Sequence, residues 1–111
     1  MEVQAKATNL RISPRKVRLL LQPIRGRRVD EAVAILRNAP MPVARKIEKI
    51  VRSAAANAEN NFQLSPDVLR VKAAWADEGT RLKRFRAGPR GRPKPWTRRY
   101  AHVTIVVEDR A

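Results

Sequence analysis

Apolar residues recur at helical spacing in three stretches of the first two-thirds of the chain, and alternate in the last third. In "SPRKVRLLLQPIRG" (residues 13–26), Val17, Leu20, Leu21 and Ile24 share one side of a predicted first helix. Ser13 is placed as an N-cap and Pro14 as the first helical residue, where its missing N–H costs nothing. Pro23 is set to end or bend this helix near Gln22, and Gly26 punctuates the end. "VDEAVAILRNAP" predicts a short second helix, with Val33 and Leu36 on its apolar side. Asp30 and Glu31 suit its positive N-terminal end and Arg37 the other, before Pro40 and Pro42 break the chain. "PVARKIEKIVRSAAANAENNF" is the strongest helical pattern. Val43, Ile47, Ile50, Val51, Ala54 and Ala58 follow the repeat, while Arg45, Lys46, Glu48, Lys49 and Arg52 take the other faces. The Ala run 54–56 favours helix and permits close packing.

From Val68 the period drops to two. In "VLRVKAAWAD", Leu69, Val71, Ala73 and Trp75 alternate with Arg70, Lys72 and Ala74, which predicts a strand. In "YAHVTIVVED", Ala101, Val103, Ile105 and Val107 take one face and His102, Thr104 and Val106 the other. Residues 3–10 supply a third predicted strand. Helices followed by paired strands give an α+β class.

Charge changes this picture. The chain has 111 residues, which fits one domain. Its length buries roughly two-thirds of the unfolded surface, enough for one modest core. Only five residues are aromatic, so Ala, Val, Ile and Leu must build that core. The net charge is +15. Charge this one-sided opposes compaction, and a polyanion relieves it. Nucleic acid and an anionic membrane surface are the candidates. The absence of cysteine excludes disulfides and thiolate metal sites and fits a reducing compartment. No apolar run approaches the ~20 residues that cross a bilayer, and "MEVQAKATNL" lacks the apolar stretch of a secretory signal. A cytoplasmic location, or a mature form inside an organelle, is expected.

The charge is concentrated. In "RLKRFRAGPRGRPKPWTRR" (residues 81–99) nine residues are basic and none is acidic. The stretch lies between the last two predicted strands, so antiparallel pairing makes it a hairpin with its turn near "AGPRGRP". At ~3.3 Å per residue, residues 80–87 project roughly 25 Å beyond the sheet. Leu82, Phe85 and Trp96 are too few to give this arm a core, and a two-stranded ribbon is marginal alone in water. Surfaces made only for solubility mix both signs, yet residues 79–107 contain no acid. Pro and Gly spacing forbids an amphipathic membrane helix, so no membrane partner is expected. Arg predominates over Lys, and its planar fork pairs with phosphate at two points. Phe85, Trp96 and Tyr100 are available to stack on unpaired bases. Residues 3–29 form a second acid-free segment with eight basic residues. The expected RNA-binding set is therefore Arg11, Arg15, Lys16, Arg18, Arg25, Arg27 and Arg28 in the first segment. In the arm it is Arg81, Lys83, Arg84, Arg86, Arg90, Arg92, Lys94, Arg98 and Arg99. Two basic surfaces far apart in sequence fit a protein embedded among several RNA segments.

Nothing in the chain argues for catalysis. His102, the sole histidine, lies in a β-branched strand and reads as structural or RNA-contacting. Adjacent Asp77 and Glu78 point to opposite faces of a strand, "GPRGRP" matches no nucleotide-binding loop, and no metal-ligand spacing is present. No cofactor or metal is expected. A rival reading is a DNA-bending protein whose Pro-tipped ribbon enters the minor groove. It requires a symmetric dimer, and no spare apolar stripe is left for one, so no homo-oligomer is expected.

"ISPRKVRLL", "IRGRRVDEAVAIL", "KIEKIVRSAAANAENN", "DEGTRLKRFRAGPRGR" and "AHVTIVVED" occur in this order. Together they resemble the bacterial large-subunit ribosomal protein family numbered twenty-two, over nearly the whole chain. The resemblance implies three helices packed on a small antiparallel three-stranded sheet with a long protruding β-hairpin. It implies a ribosomal RNA-binding constituent of the large subunit that touches several RNA domains and neighbouring ribosomal proteins and supports assembly. It further implies that the hairpin tip, Arg86, Ala87, Gly88, Pro89, Arg90, Gly91 and Arg92, lines the nascent-peptide exit tunnel and meets the passing peptide. Asn60, where the family commonly has His, and the Pro- and Trp-containing "GRPKPWTRR" depart from the family pattern.

Overall fold

The computed structural model describes residues 2–91 and 93–109, with backbone alone for residues 80–87, 89 and 93–98. The chain runs through β1 (Glu2–Leu10), α1 (Pro14–Leu21), α2 (Val29–Asn38), α3 (Ala44–Phe62), β2 (Leu69–Ala87) and β3 (Pro93–Asp109). Short 3-10 turns at Gln22–Ile24, Pro66–Val68 and Pro89–Gly91 join them. Three helices and one three-stranded antiparallel sheet among the described residues make the fold α+β, as expected.

The sheet order is β1-β3-β2, so the most apolar strand lies in the centre. Residues 103–107 of β3 are all buried. Val103, Ile105 and Val107 belong to the core beneath the helices, and Thr104 and Val106 are covered on the opposite face by the flanking strands. Thr104 sits in register between Lys6 of β1 and Trp75 of β2, and Val106 between Gln4 and Ala73. A β-branched run in the centre of a sheet is buried on both faces, as the pattern "HVTIVVE" requires.

The helices cover one face. α3 lies against β1 and β3, α1 against β2 and β3, and α2 is held mainly by α3. Val43, Ile47, Ile50, Val51, Ala54 and Ala58 of the third helical pattern are all buried. Ala54 and Ala58 have no exposed surface, which is the close approach that a small side chain allows. Pro23 ends α1 at Leu21 and turns the chain into the 3-10 segment whose Ile24 closes the core. Ser13 occupies the N-cap of α1, but its hydroxyl makes no capping bond. Its carbonyl instead accepts from the N–H groups of Lys16 and Val17.

One strand departs from simple alternation. Lys72 is an extra residue in β2: Val71 pairs with Val107, but Ala73 pairs with Val106. This bulge exchanges the faces of everything after it. Leu69 and Val71 point into the core before it, and Ala74 and Ala76 after it. Ala73 and Trp75, which simple alternation puts on one face with Leu69 and Val71, therefore lie on the helix-free face, with Trp75 39% exposed, and Ala74 is inside. The bulge also presents Lys72 to Glu2 of β1 and Glu108 of β3, an ion pair that spans all three strands.

A second bulge, between Glu78 and Arg81, and a third, between Ala7 and Leu10, lie at the same level of the sheet. His102 connects them. Its Nδ1 accepts a hydrogen bond from the N–H of Asn9, whose φ is 56°. Its ring lies against Gly79: a Cβ at that position meets the His102 Cε1 and the Tyr100 carbonyl oxygen at 3.1 Å each. The imidazole can give way, but the backbone oxygen cannot. Gly79→Ala is expected to lower unfolding free energy by about 1–3 kcal/mol, measured as a shift in the urea midpoint. An unchanged midpoint removes the packing argument at this junction.

Candidate nucleic-acid interface

The cations of the first acid-free segment divide into two groups by what they touch. β2 is an edge strand, and its outer carbonyls need donors. Residues on and after α1 supply them. Arg18 donates Nε and Nη2 to the Ala76 carbonyl at 3.2 and 2.8 Å, and Arg25 donates Nε to the Ala74 carbonyl at 2.8 Å. The backbone of the following loop exchanges two bonds with Val71: Gly26 N–H to the Val71 oxygen and Val71 N–H to the Arg27 oxygen, both 2.8 Å. Arg28 Nη2 donates to the Asp67 carbonyl at 3.1 Å. Arg27 and Arg28 also stand 3.9 Å from Glu31 and Asp30. Arg18, Arg25 and Arg28, all expected to bind RNA, thus serve the fold through part of each guanidinium. Arg18 commits Nε and Nη2 to the strand edge, and the rest of its fork belongs to an exposed side chain.

The second group has no acidic partner among the described residues. Arg11 and Lys16 meet Lys46 around a hollow of about 390 Å³ floored by Ile12, Met41, Pro42 and Val43. Lys46 is shared with a neighbouring hollow of about 330 Å³ between β1 and α3, where Lys6 and Lys49 join it above Ala5, Leu10 and Ile50. No acidic residue lines either hollow. Glu48, the acid of the first half of α3, turns the other way. It is nearly buried and accepts from Arg37 Nε at 3.2 Å and Arg52 Nη2 at 3.1 Å. Its charge is thereby spent on α2 and the far side of α3. Lys6, Lys46 and Lys49 were not among the residues expected from sequence. Lys6 was counted in the acid-free segment 3–29 and Lys46 and Lys49 have i, i+3 spacing, but that α3 would set them beside Arg11 and Lys16 is a tertiary fact.

A third cluster brings sequence-distant residues together at the base of the long strands. Arg15, Arg18 and Arg99 surround a hollow of about 300 Å³ with Pro14 and Glu78. Beyond it, β2 and β3 remain paired from Arg81 opposite Arg99 to Ala87 opposite Pro93, closed by the Pro89–Gly91 turn. Arg90 there is exposed with φ 60°. The register sets Arg86 opposite Lys94 as well as Arg81 opposite Arg99. Like charges in directly opposed positions disfavour a ribbon. The radius of gyration is 17.0 Å and the extents are 63 × 25 × 17 Å, against roughly 13 Å for the radius of a compact chain of this length. Arg92 lies outside the described residues. The side chains of Arg81, Lys83, Arg84, Arg86, Lys94 and Arg98 do too.

Residues 5–108 match the model of the family described as ribosomal protein L22p/L17e. The chain belongs to the ribosomal protein L22p/L17e family. It is 46% identical over 110 residues to the large ribosomal subunit protein uL22 of Pelotomaculum thermopropionicum, covering 99% of this chain and 97% of that one. It is 49% identical over 109 residues to the protein of the same name from Staphylococcus haemolyticus, covering 98% and 93%. With that from Dehalococcoides mccartyi it shares 45% over 109 residues, covering 98% and 100%. L22p/L17e proteins are structural rather than enzymatic, which agrees with the lack of an acid–base constellation in the sequence. Among the described residues no group of three or more His, Cys, Asp or Glu is placed to hold a metal, and no helix is long and apolar enough to cross a membrane.

The two groups of cations respond differently to truncation. Arg18→Ala leaves the part-buried Ala76 carbonyl without its donors and is expected to cost about 1–2 kcal/mol. Lys16→Ala and Lys46→Ala are expected to leave stability unchanged or slightly raised, because they only relieve repulsion. Denaturant unfolding of the three variants checks this; an Arg18→Ala midpoint equal to wild type removes the strand-edge role.

Proposed function

We propose that this chain is a structural constituent of the large ribosomal subunit, in cytoplasmic ribosomes. In this reading it binds ribosomal RNA of several domains, contacts neighbouring ribosomal proteins and supports subunit assembly as a single copy. The observation that carries the reading is the distribution of charge on a family-assigned fold. Five cations surround the acid-free hollows beside β1, and the acid-free stretch 81–99 holds nine more, seven of them on the paired strands. The named relatives are large-subunit proteins. The mechanism is neutralisation: each Lys or Arg that meets a phosphate releases a condensed counterion, so RNA segments that repel one another can approach.

The proposed RNA contacts are Arg11, Arg15, Lys16, Arg18, Arg25, Arg27 and Arg28 on the body, with Arg81, Lys83, Arg84, Arg86, Arg90, Arg92, Lys94, Arg98 and Arg99 on the ribbon. Lys6, Lys46 and Lys49 join the body set because they share the hollows of Arg11 and Lys16. Arg18 and Arg25 keep N–H groups for phosphate after bonding β2, so a dual role is consistent with their geometry. The ribbon is proposed to reach inward and, with residues 86–92 at its tip, to line the tunnel through which the nascent peptide leaves. A long axis several times the shortest one and two like-charged register pairs support a ribbon that is ordered by phosphate on both sides.

Replacing both Arg84 and Arg90 by Glu is expected to deplete the chain from large subunits in sucrose gradients while the isolated protein keeps wild-type helix content and melting. For each phosphate that the variant no longer neutralises, the slope of log affinity against log salt is expected to flatten by about 0.7–0.9. Normal subunit profiles together with an unchanged salt slope count against the proposal.

A further inference from the structure

The hollow between the end of β1, the start of α1 and the start of α3 carries more chemistry than neutralisation needs. A phosphate backbone is satisfied by cations on a flat surface. Here the cations stand on a rim, and the floor is apolar. Ile12, Met41, Pro42 and Val43 form the floor, and Arg11, Lys16 and Lys46 rise around it. Its volume of about 390 Å³ falls in the range of ligand clefts, roughly 300–1,000 Å³. An apolar floor under a cationic rim matches a ligand that is flat and weakly polar at one end and anionic at the other.

We propose that this hollow seats an unstacked nucleotide of single-stranded RNA. The base lies on Ile12, Met41 and Pro42, and the flanking phosphates meet Arg11, Lys16 and Lys46. This deepens the RNA-binding reading above and rests on it. Duplex RNA shows a protein its phosphates and the 2′-hydroxyls of its shallow groove, whereas bases reach protein surfaces when they are splayed from loops or bulges. A helix could satisfy the rim but not the floor. The adjoining hollow, reached through the shared Lys46 and carrying Lys6 and Lys49, gives the strand a path along β1. The local geometry holds the floor open. Ala44 and Ile47, in the first turn of α3 just after the floor residues, are fully buried and fix its position. No acid lines the seat, so nothing in it repels the phosphates or favours a cationic peptide.

The test uses the full chain and two probes, a short oligouridylate and an RNA duplex of equal length, read by fluorescence anisotropy at fixed salt. Met41 is partly exposed, so Met41→Ser alters the floor without opening the core. It is expected to weaken oligouridylate binding about tenfold, by the transfer free energy of the lost apolar surface, and duplex binding by less than about twofold. Lys46→Gln is expected to weaken both. Equal effects of Met41→Ser on the two probes, or no effect on either, overturn the seat. So does competition by polyglutamate as effective as oligouridylate of the same charge, which assigns the hollow to acidic peptides. If Met41→Ser shifts the unfolding midpoint, crosslinking decides on the wild-type chain: a 4-thiouridine oligomer is expected to attach within the peptides holding Ile12 or residues 41–43, and attachment only elsewhere overturns the proposal. Failure of the seat leaves co-sedimentation with large subunits intact; failure of co-sedimentation sinks the broader reading whatever the oligomer shows.

Discussion

Repulsion between like charges sets the terms on which this chain folds. With 25 basic and 10 acidic residues, it cannot neutralise itself, and the fold spends its few acids where they hold elements together. Glu48 joins α2 to α3 through Arg37 and Arg52. Glu2 and Glu108 tie the open face of the sheet through Lys72. Asp30 and Glu31 sit at the positive end of α2 beside Arg28 and Arg27. Exposed ion pairs contribute little each, but their placement decides where charge is left uncompensated. What remains among the described residues is the set of cations around the hollows beside β1, to which the acid-free sequence of the ribbon adds. The body folds on apolar packing despite its charge. In sequence the ribbon has only Leu82, Phe85 and Trp96 as large apolar residues, little to set against repulsion.

The same economy explains the arginines that face the outer edge of β2. An edge strand with free carbonyls invites another strand. Arg18, Arg25 and the loop at Gly26 and Arg27 occupy that edge in sequence order from Ala76 back to Val71. A guanidinium suits this work because it gives up one or two N–H groups and still presents charge outward. Lysine in the same places offers a point charge on a flexible stem and no fork. Arg18 and Arg25 therefore serve the fold, and any loss of RNA binding on their mutation has to be separated from loss of the edge.

How much of this was legible depended on the range of the interaction. The three helices were readable because their apolar repeats, prolines and caps act within a few residues. Pro23 ended α1 where its ring forbids continuation, and Ile47, Val51, Ala54 and Ala58 went inside together. β3 was readable as a strand from its alternating, β-branched run, while its central place comes from pairing with both other strands. Alternation in β2 failed after Val71, because a bulge is decided by pairing with a distant strand, and "VKAAWA" carries no glycine to announce it. Trp75 shared a face with Leu69 and Val71 by its spacing and lies on the helix-free face because of the bulge. Ser13 had the identity of a capping residue, yet its carbonyl, not its hydroxyl, serves the first turn. Among the candidate site residues, charge runs pointed to Arg11, Lys16 and the ribbon. Lys6, Lys46 and Lys49 were invisible as a group, since one comes from β1 and two from α3, and only the packing of that helix on that strand makes them neighbours.

The junction where the ribbon leaves the body shows why the two parts need not share a fate. Two bulges, one in β1 and one in β2, fall at one level, and His102 holds them by accepting from Asn9 on one side and pressing on Gly79 on the other. Each bulge interrupts the ladder and increases local twist. Below them the sheet is three strands wide and backed by helices; above them it is two strands wide, with β1 ended at Leu10. The helices pack mainly on the three-stranded part, and α1 reaches the base of the ribbon where Arg15 and Arg18 stand beside Arg99. Where β1 ends, the paired β2–β3 ribbon continues with fewer partners than the sheet beneath it. Under the proposed function, an arm that reaches between RNA segments gains from that junction, because the body beneath it keeps its own core.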